Sequence, residues 1–280
     1  MADPPARRDV QIGEAELPAA NVGELLRSNA ADPDISGRPA IRSGDRVVSH
    51  AEFYRESCRW ANLFLSRHRP GRPLHVAVLL DNSPEYLFAF GGAALAGGAV
   101  VGLNHSRSGN QLLQDISHTH CGLVVYEGKH HGLIAPALGE LDDVLVAKES
   151  LDEALASQPD TDPKVEVDVG ATWTLIFTSG TAAAPKAVIC SQRRILVTGN
   201  RMSMLMGIGR EDVGYVSMPL FHSNSVMVGW APSLVAGACV GLAPKFTASR
   251  WLEDVRRYGA TYFNYTGKPL AYILAQPERP

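Results

Sequence analysis

The sequence predicts an α/β fold in which helices cover a largely parallel β-sheet. Apolar runs of strand length alternate along the chain with longer amphipathic segments, which is the pattern of repeated strand and helix units. The composition, with 45% hydrophobic and 20% charged residues, is typical of a globular protein with a buried core. The length of 280 residues accommodates one large domain or two modest ones.

The clearest strand and helix unit lies in the first third of the chain. Residues 74–80 are almost entirely apolar, as in a strand that is buried on both faces. Ser83, Pro84 and Glu85 follow, and they supply a helix cap, a proline at the first helical position and an acid in the first turn. We therefore expect a buried strand followed directly by a helix.

The remaining elements follow from the same signals. Further strands are predicted at residues 99–103, 123–126, 144–146, 172–177, 187–190, 215–218, 239–242 and 261–264. Further helices are predicted at residues 108–118, 192–206, 225–235 and 249–258. Residues 1–20 are expected to form a loose tail. The polar stretch 157–168 is expected to form a surface loop or linker, with a possible subdomain boundary in it.

Charge and cysteine content exclude several classes of protein. The 26 basic and 29 acidic residues form no long run of either sign, so we expect no nucleic-acid partner. The four cysteines are far apart and never occur as CxxC, which argues against a zinc site and against a dense disulfide framework. We expect a reduced, cytoplasmic location and assign no metal ligands.

Two uncharged stretches, 86–103 and 220–244, are long enough to be considered as membrane spans. The first contains five glycines, and the second contains His222, Pro232 and several other polar residues. Buried helices, turns and strands explain both stretches better than a transmembrane helix does. No apolar segment follows the N-terminal arginines, so a secretory signal is not expected. Peripheral membrane association and the oligomeric state stay open.

The residues with the most chemical information lie at 177–187, where a loop of small and hydroxyl-bearing residues ends in Lys186. Small side chains let backbone N–H groups approach an anion closely, and hydroxyls and a lysine add further donors. The GxxxxGK[ST] spacing is absent and a strand is predicted next, which excludes a Walker A loop. From composition alone, a phosphate-binding loop and an ordinary turn between two strands are both open.

The same loop resembles the phosphate-binding signature of the adenylate-forming (AMP-binding) superfamily, [YF]-T-S-G-[ST]-[ST]-G-x-P-K-[GA]. The matching positions are Phe177, Thr178, Ser179, Gly180, Thr181, Pro185, Lys186 and Ala187. The resemblance implies that residues 178–183 and Lys186 bind nucleotide phosphates. Ala182 and Ala183 depart from the signature, since they replace a hydroxyl and a glycine, and weaker nucleotide binding is expected from both changes.

Two downstream segments extend the resemblance. Residues 217–224, Ser-Met-Pro-Leu-Phe-His-Ser-Asn, resemble the second core motif of the superfamily, which implies that His222 and Asn224 line an acyl pocket. Residues 257–274 resemble a strand, turn and helix of long-chain and very-long-chain fatty acyl-CoA synthetases. This second resemblance adds Tyr265 and Gly267 as acyl-pocket candidates. From the residues alone, the segment is simply a strand that turns into a helix.

The resemblance implies ATP-dependent activation of a fatty acid to acyl-AMP and then to acyl-CoA, with ATP, Mg²⁺ and coenzyme A as the small-molecule partners. Lys186 and His222 would be the catalytic residues, because Lys186 offsets phosphate charge and His222 shapes the channel for the carboxylate. Two alternatives stay open. One is an adenylating enzyme for another carboxylic acid, and the other is a non-catalytic remnant that binds a nucleotide or a partner.

The resemblance also implies features that are not found in this sequence. They are a Tyr-Gly-x-Thr-Glu segment for Mg²⁺, an Asp for the ribose and a small C-terminal domain with the adenylation lysine. We therefore expect residues 21–280 to be a partial AMP-binding N-terminal domain of a truncated enzyme, with the C-terminal domain absent. Strands without neighbours would leave unpaired edges, so we also expect poor solubility.

Overall fold

Two β-sheets and the helices that pack on them make up the structure. The computed structural model describes residues 17–139, 141, 143–147, 149–177 and 186–277, so the predicted tail lies mostly outside the described residues. The described strands are β1 (Pro39–Ser43), β2 (Arg46–Ser49), β3 (His75–Leu79), β4 (Ala99–Gly102), β5 (Leu123–Glu127), β6 (Val144–Ala147), β7 (Thr172–Phe177), β8 (Ala187–Ser191), β9 (Val213–Val216), β10 (Cys239–Leu242) and β11 (Tyr262–Phe263).

Helices connect most of these strands. The described α-helices are α1 (Val22–Ala31), α2 (His50–Arg67), α3 (Pro84–Ala96), α4 (Gly109–His118), α5 (His131–Leu138), α6 (Ser150–Ala156), α7 (Gln192–Met206), α8 (Ala231–Ala236), α9 (Trp251–Tyr258) and α10 (Gly267–Leu274). A π-helix at Asn224–Trp230 leads directly into α8.

The strand order confirms the predicted α/β class. One sheet has six strands in the order β6-β5-β3-β4-β7-β8, and the other has five strands in the order β11-β9-β10-β1-β2. Neighbouring strands are parallel except in the β1–β2 and β7–β8 pairs. The five-stranded sheet joins distant parts of the chain, since Ile41 of β1 pairs with Val240 of β10.

Most predicted elements lie where the sequence places them. The helix at 192–206 and the strand at 239–242 are confirmed residue for residue, and α4 begins one residue after the predicted start. The strand predicted at 215–218 instead occupies Val213–Val216. It ends early because the Met218 carbonyl leaves the sheet and accepts a hydrogen bond from the Asn82 side chain at 2.9 Å.

The β1–β2 hairpin and helices α1, α2, α5 and α6 have no counterpart among the predicted elements. Helix α2 nevertheless begins with a capping box that can be recognised in the sequence. The Ser49 hydroxyl accepts from the Glu52 N–H at 3.2 Å, and the Glu52 carboxylate accepts from the Ser49 N–H at 2.8 Å. Helix α5 contains Pro136, which disfavours a helix when only local sequence is considered.

Helix α3 lies in the core between the two sheets, and all its residues but one are buried. The surrounding apolar cluster includes Val78 and Val100 from the six-stranded sheet and Ile41 and Val240 from the five-stranded sheet. The uncharged stretch 86–103 is therefore a buried helix and strand, as predicted. Among the described helices, none combines the length and apolar character that a membrane crossing requires.

The polar stretch 157–168 runs along the surface and is attached to α1 and α2. The Asp162 carboxylate accepts from Arg27 Nε at 2.5 Å and from the Tyr54 hydroxyl at 2.7 Å. Asn62 donates to two backbone carbonyls of the stretch, each at 2.9 Å. The strands before and after it, β6 and β7, belong to the same sheet. A subdomain boundary at this point stays a prediction.

Candidate active site

The antiparallel β7–β8 hairpin carries the predicted phosphate loop, residues 178–186, between its two strands. Phe177 pairs with Ala187 at the loop end of the hairpin, so the strands predicted on both sides of the loop are confirmed. Lys186 is exposed immediately before β8. The element after the lysine is a strand, in agreement with the exclusion of a Walker A loop.

The rest of the predicted phosphate loop lies outside the described residues. The predicted phosphate-binding positions in this part are Thr178, Ser179, Gly180, Thr181, Ala182 and Ala183. Their assignment stays a prediction that rests on the signature. The described ends of the loop nevertheless fix where it begins and ends, at the edge of the six-stranded sheet.

A cleft of about 620 Å³ lies beside this hairpin. Its walls come from the end of β4, from β7 and β8, from α7, and from the π-helix with the turn before it. The apolar lining residues are Ile176, Phe177, Val188, Phe221, Met227 and Val228. Arg107 and Arg194 are the charged residues of the lining, and no acidic side chain of the described chain lines the cleft. The cleft therefore suits an anion that is attached to an apolar body.

His222 lines the cleft, and its assignment to an acyl site stays a prediction. It is the last residue of a turn that is closed by its own N–H, which donates to the Pro219 carbonyl at 3.0 Å. The centroid of its ring lies 4.5 Å from that of Phe221. His222 is exposed at the cleft surface, but partial desolvation by the cleft wall, and next the charge of His105, lower its pKa below the usual value of 6.5. At neutral pH the imidazole is therefore uncharged.

Asn82 holds the turn that carries His222, and the sequence interpretation does not include it among the site residues. Its side-chain NH₂ donates to the Met218 carbonyl at 2.9 Å and to the Ala243 carbonyl at 3.1 Å. Its side-chain oxygen accepts from the Leu220 N–H at 2.9 Å. The only sequence signal for this role is a polar residue just after a buried strand, at the carboxyl edge of a parallel sheet.

Asn224 also lines the cleft and begins the π-helix. Its role in an acyl pocket stays a prediction. Asn264, which follows β11, donates from its Nδ2 to the Asn224 Oδ1 at 2.6 Å and to the Asn224 backbone carbonyl at 3.3 Å. The Ser225 hydroxyl donates to the Met218 carbonyl at 2.7 Å. These bonds connect the π-helix to both the preceding turn and the five-stranded sheet.

The two arginines of the cleft differ in their surroundings. Arg107 Nε lies 2.8 Å from an oxygen of the fully buried Asp115 carboxylate, which fixes the guanidinium in the wall. Arg194 projects from the first turn of α7 and is exposed. Arg194 is therefore the cleft cation that a bound anion reaches more easily.

Tyr265 and Gly267 are the remaining predicted acyl-pocket residues. Tyr265 is 51% exposed and packs against the ring of Phe263, with 5.7 Å between the ring centroids. Gly267 is the first residue of α10. Neither residue is part of the described cleft lining, so their assignment to the acyl pocket stays a prediction.

The described residues fit phosphate and carboxylate groups better than they fit Mg²⁺. Lys186, Arg107 and Arg194 provide positive charge, whereas the described cleft lining offers no carboxylate to a hard cation. Elsewhere, Asp81, Glu127 and His130 bring possible metal-ligand atoms within 4.8 Å of one another. Lys129 forms ion pairs with both carboxylates, so a side chain already offsets one of their two negative charges.

The sequence is similar to that of several acyl-CoA-forming enzymes. It is 40% identical over 270 residues to the steroid-22-oyl-CoA synthetase of Rhodococcus jostii. The alignment covers 95% of this chain and 48% of that protein. It is 42% identical over 240 residues to the medium/long-chain-fatty-acid–CoA ligase FadD17 of Mycobacterium tuberculosis. This alignment covers 84% of this chain and 46% of that protein. The chain thus spans about half the length of these curated relatives.

Solved structures show the same fold. The inhibitor-bound N-terminal domain of FACL13 from Mycobacterium tuberculosis superposes with a TM-score of 0.84 at 21% identity, over 92% of this chain and 66% of that chain. A fatty acyl CoA synthetase from Mycobacterium tuberculosis superposes with a TM-score of 0.82 at 20% identity, over 92% of this chain and 51% of that chain.

A protein-family model matches most of the chain. That family is described as AMP-binding enzyme, and its model matches residues 28–280, which include both sheets and every described lining residue of the cleft. On the strength of this match, the chain belongs to the AMP-binding enzyme family.

Proposed function

We propose that this chain binds the carboxylic acid and the nucleotide phosphates in an enzyme that activates a fatty acid with ATP. The products would be acyl-AMP and then acyl-CoA. Membership of the AMP-binding enzyme family and the likeness to a medium/long-chain-fatty-acid–CoA ligase support this proposal. The chain spans about half of that relative, so the proposal concerns its part in the reaction.

The observation that carries the proposal is the composition of the cleft. Apolar side chains from the hairpin and the π-helix face a space that also holds two guanidinium groups and no described carboxylate. A fatty acid presents the complementary surface, because it joins one anionic group to an apolar chain. Phe177 lines the cleft and directly precedes the predicted phosphate loop, so a carboxylate in the cleft would lie beside the nucleotide.

The chemistry requires two displacements. A carboxylate oxygen attacks the α-phosphorus of ATP and pyrophosphate leaves; the thiol of coenzyme A then attacks the acyl carbon and AMP leaves. Lys186 would offset the charge of the departing pyrophosphate. His222 is neutral at pH 7 because partial desolvation lowers its pKa, so it would border the carboxylate channel without binding the acid as a counter-ion. Mg²⁺, when bound, would supply further positive charge on the phosphates.

Binding of a non-reactive dodecyl ester of AMP to the 280-residue chain tests the proposal, because this ligand needs both the cleft and the predicted phosphate loop. We expect saturable binding by calorimetry, weakened about tenfold or more in Lys186→Ala through loss of a charged phosphate contact. The Lys245→Ala variant is the control, because Lys245 lies outside the described lining of this cleft. Absence of binding by the folded wild-type chain would contradict the proposal.

A second candidate substrate is a steroid with a carboxylated side chain. The 40% identity to a steroid-22-oyl-CoA synthetase favours it, and it also connects an apolar body to one carboxylate. A matched pair of AMP esters, one with a steroid side chain and one with dodecyl, distinguishes the two classes. Binding of the steroid ester at least tenfold tighter than the dodecyl ester would favour the steroid acid.

A non-catalytic role in nucleotide binding is favoured by Ala182 and Ala183, which replace a hydroxyl and a glycine of the signature. Incubation of the chain with ATP, Mg²⁺ and dodecanoate, followed by mass spectrometry, tests this alternative. ATP binding without dodecanoyl-AMP supports it, and accumulation of dodecanoyl-AMP excludes it.

The reaction is proposed to take place in the cytoplasm. All four cysteines are free thiols, and three of them are buried in the apolar core. Free thiols are typical of a reducing compartment.

A further inference from the structure

The contact between Asn264 and Asn224 fixes the direction in which each side-chain amide points. Asn264 places one amide atom 3.3 Å from the Asn224 backbone carbonyl, which only accepts hydrogen bonds. That atom of Asn264 must therefore be its nitrogen. The same nitrogen lies 2.6 Å from the Asn224 side chain, so the atom of Asn224 that faces it must be the acceptor oxygen Oδ1.

The surroundings of Asn264 keep this arrangement in place. Asn264 Oδ1 is buried beside the π-helix without a hydrogen-bond partner among the described residues, and a Cβ on Gly229 would lie only 2.7 Å from it. A glycine at this position in the π-helix thus leaves the space that the Asn264 amide occupies. The Met218 sulfur lies 3.9 Å from the Asn264 nitrogen. The amide is therefore held between the π-helix and the turn that precedes it.

Asn224 lines the cleft, and its Oδ1 is directed at Asn264. Its NH₂ group is therefore available to a ligand in the cleft. A side-chain NH₂ is a donor only, and it suits an anionic oxygen. Near Asn224 the lining residues Phe221, Met227 and Val228 are apolar, as expected around an acyl chain. A carboxylate that enters the cleft would therefore meet a directed donor beside apolar side chains, where a hydrogen bond to a charged group contributes more than it does in water.

We infer that Asn264 is a positioning residue that orients the Asn224 amide so that its NH₂ group binds the carboxylate of the acyl substrate. This inference rests on the proposed function for the nature of the ligand. The orientation of the amide rests on the hydrogen-bond geometry alone.

Two substitutions separate orientation from simple stability. Asn224→Asp keeps an acceptor for Asn264 but replaces the NH₂ donor with a carboxylate oxygen, which repels an acid. Asn264→Leu removes the donor that holds Asn224, so the Asn224 amide is free to rotate. Thermal unfolding of each variant shows whether it is folded before any ligand is added.

Binding is measured by calorimetry on the 280-residue chain, with dodecanoate as the probe and dodecanol as the matched ligand without a charge. We expect Asn224→Asp to weaken dodecanoate binding at least tenfold, and Asn264→Leu to weaken it about three- to tenfold, since the contact is a hydrogen bond to a charged group. Dodecanol binding should be unchanged in both variants. If Asn264 had a purely structural role, Asn264→Leu would weaken the binding of dodecanoate and of dodecanol equally, and that result would overturn the inference.

AMP without an acyl group serves as a third ligand, because a phosphate oxygen could use the same donor. If Asn224→Asp weakens AMP binding and leaves dodecanoate binding unchanged, the donor serves the nucleotide and the inference is overturned.

A measurement without ligand tests the orientation itself. In ¹⁵N-labelled protein, the Asn264 side-chain NH₂ should exchange slowly with water, and the Asn224 NH₂ should exchange fast because it faces the cleft. The reverse pattern contradicts the orientation even if dodecanoate binds. Failure of the wild-type chain to bind dodecanoate would instead contradict the proposed function, so the two failures are distinguishable.

Discussion

At the scale of single residues, the site depends on asparagines whose hydrogen-bond partners are distant in sequence. A short local motif contains both His222 and Asn224, so their common place in the cleft lining could be inferred from the sequence. The places of Asn82 and Asn264 could not, since Asn82 bonds residues 136 to 161 positions away and Asn264 bonds one 40 positions away. Only the fold brings these partners together, so local sequence patterns carry almost no signal for them.

Removal of the Asn82 side chain should destabilise the protein markedly. Asn82→Ala leaves the Met218 and Ala243 carbonyls and the Leu220 N–H without their partner in a site where Asn82 is only 4% exposed. We expect the free energy of unfolding in urea to fall by about 2–4 kcal/mol.

Asn62→Ala is the matched control for this change, because Asn62 also donates to two backbone carbonyls, but at the surface. Asn62→Ala should lower the free energy of unfolding by about 1 kcal/mol or less. Equal losses in the two variants would show that Asn82 is not a buried anchor of the turn that carries His222.

His50 should make the stability depend on pH. Burial outweighs the effect of a hydrogen bond to the Gly237 backbone and lowers the pKa of His50 from 6.5 to about 4. The unfolded chain therefore binds a proton more readily than the folded chain, and acid favours unfolding. The contribution of the neutral imidazole is complete above pH 6.5 and is lost as the pH falls towards 4, with a total of about 3 kcal/mol.

Urea unfolding at several pH values between 4 and 7 measures this effect, with His50→Gln as the comparison. The wild-type free energy of unfolding should fall more steeply with acid than that of the variant. Parallel pH profiles would show that the proton affinity of His50 is not changed by folding.

At the scale of elements, capping and turn residues in the sequence predicted where the strands and helices with clear ends begin and end. Helix α3 was predictable from Ser83 and Pro84, whereas the capping box at Ser49 and Glu52 is an equally clear signal for α2 that the interpretation left out. The π-helix is different. Its residues were predicted as part of an ordinary helix, because nothing in a local pattern distinguishes π from α hydrogen bonding.

The contact between α2 and α3 depends on Gly92. A Cβ at this position would lie 2.6 Å from the Trp60 Cβ and 2.9 Å from the Ala61 nitrogen, both on α2. Because the obstruction includes backbone, Gly92→Ala should separate the two helices and lower the free energy of unfolding by about 1–3 kcal/mol or more. Urea unfolding monitored by circular dichroism provides the measurement.

Gly132→Ala in α5 is the matched control, since a Cβ there meets nothing within 4 Å. It should be neutral or stabilise the protein by up to about 1 kcal/mol, because alanine is the better helix former. If Gly92→Ala were equally benign, the close packing of α2 on α3 would be disproved.

At the scale of the whole molecule, the fold class was predictable from alternating strands and helices, but the division into two sheets was not. The first hairpin, β1–β2, extends the five-stranded sheet next to β10, while all strands between β2 and β9 belong to the other sheet. Alternation along the chain does not show which sheet a strand joins. The sheet that a strand joins depends on packing between distant residues, as in the buried cluster around α3, which includes residues of both sheets.

The edge of the six-stranded sheet should promote self-association. In β8, the edge strand, Ile189 is 66% exposed, and exposed apolar edges pair readily with other strands. Sedimentation velocity of the wild-type chain should show larger species as the concentration rises. Ile189→Lys should suppress them, because a lysine on the edge opposes strand pairing.

Leu205→Lys in α7 is the control, since Leu205 is also exposed but does not lie on a strand. Equal suppression by both substitutions would point to general apolar contact instead of edge pairing. A wild-type chain that stays monomeric at all concentrations would contradict the prediction of poor solubility.

The central claim is that the cleft beside the β7–β8 hairpin holds the acyl group while the predicted phosphate loop holds the phosphate. A crystal structure of the chain with the dodecyl ester of AMP tests it most directly. We predict the dodecyl chain between α7 and the π-helix, the linking oxygen next to Asn224 and the phosphate within reach of Lys186. A dodecyl chain bound outside this cleft, with Lys186 directed to solvent, would contradict the account.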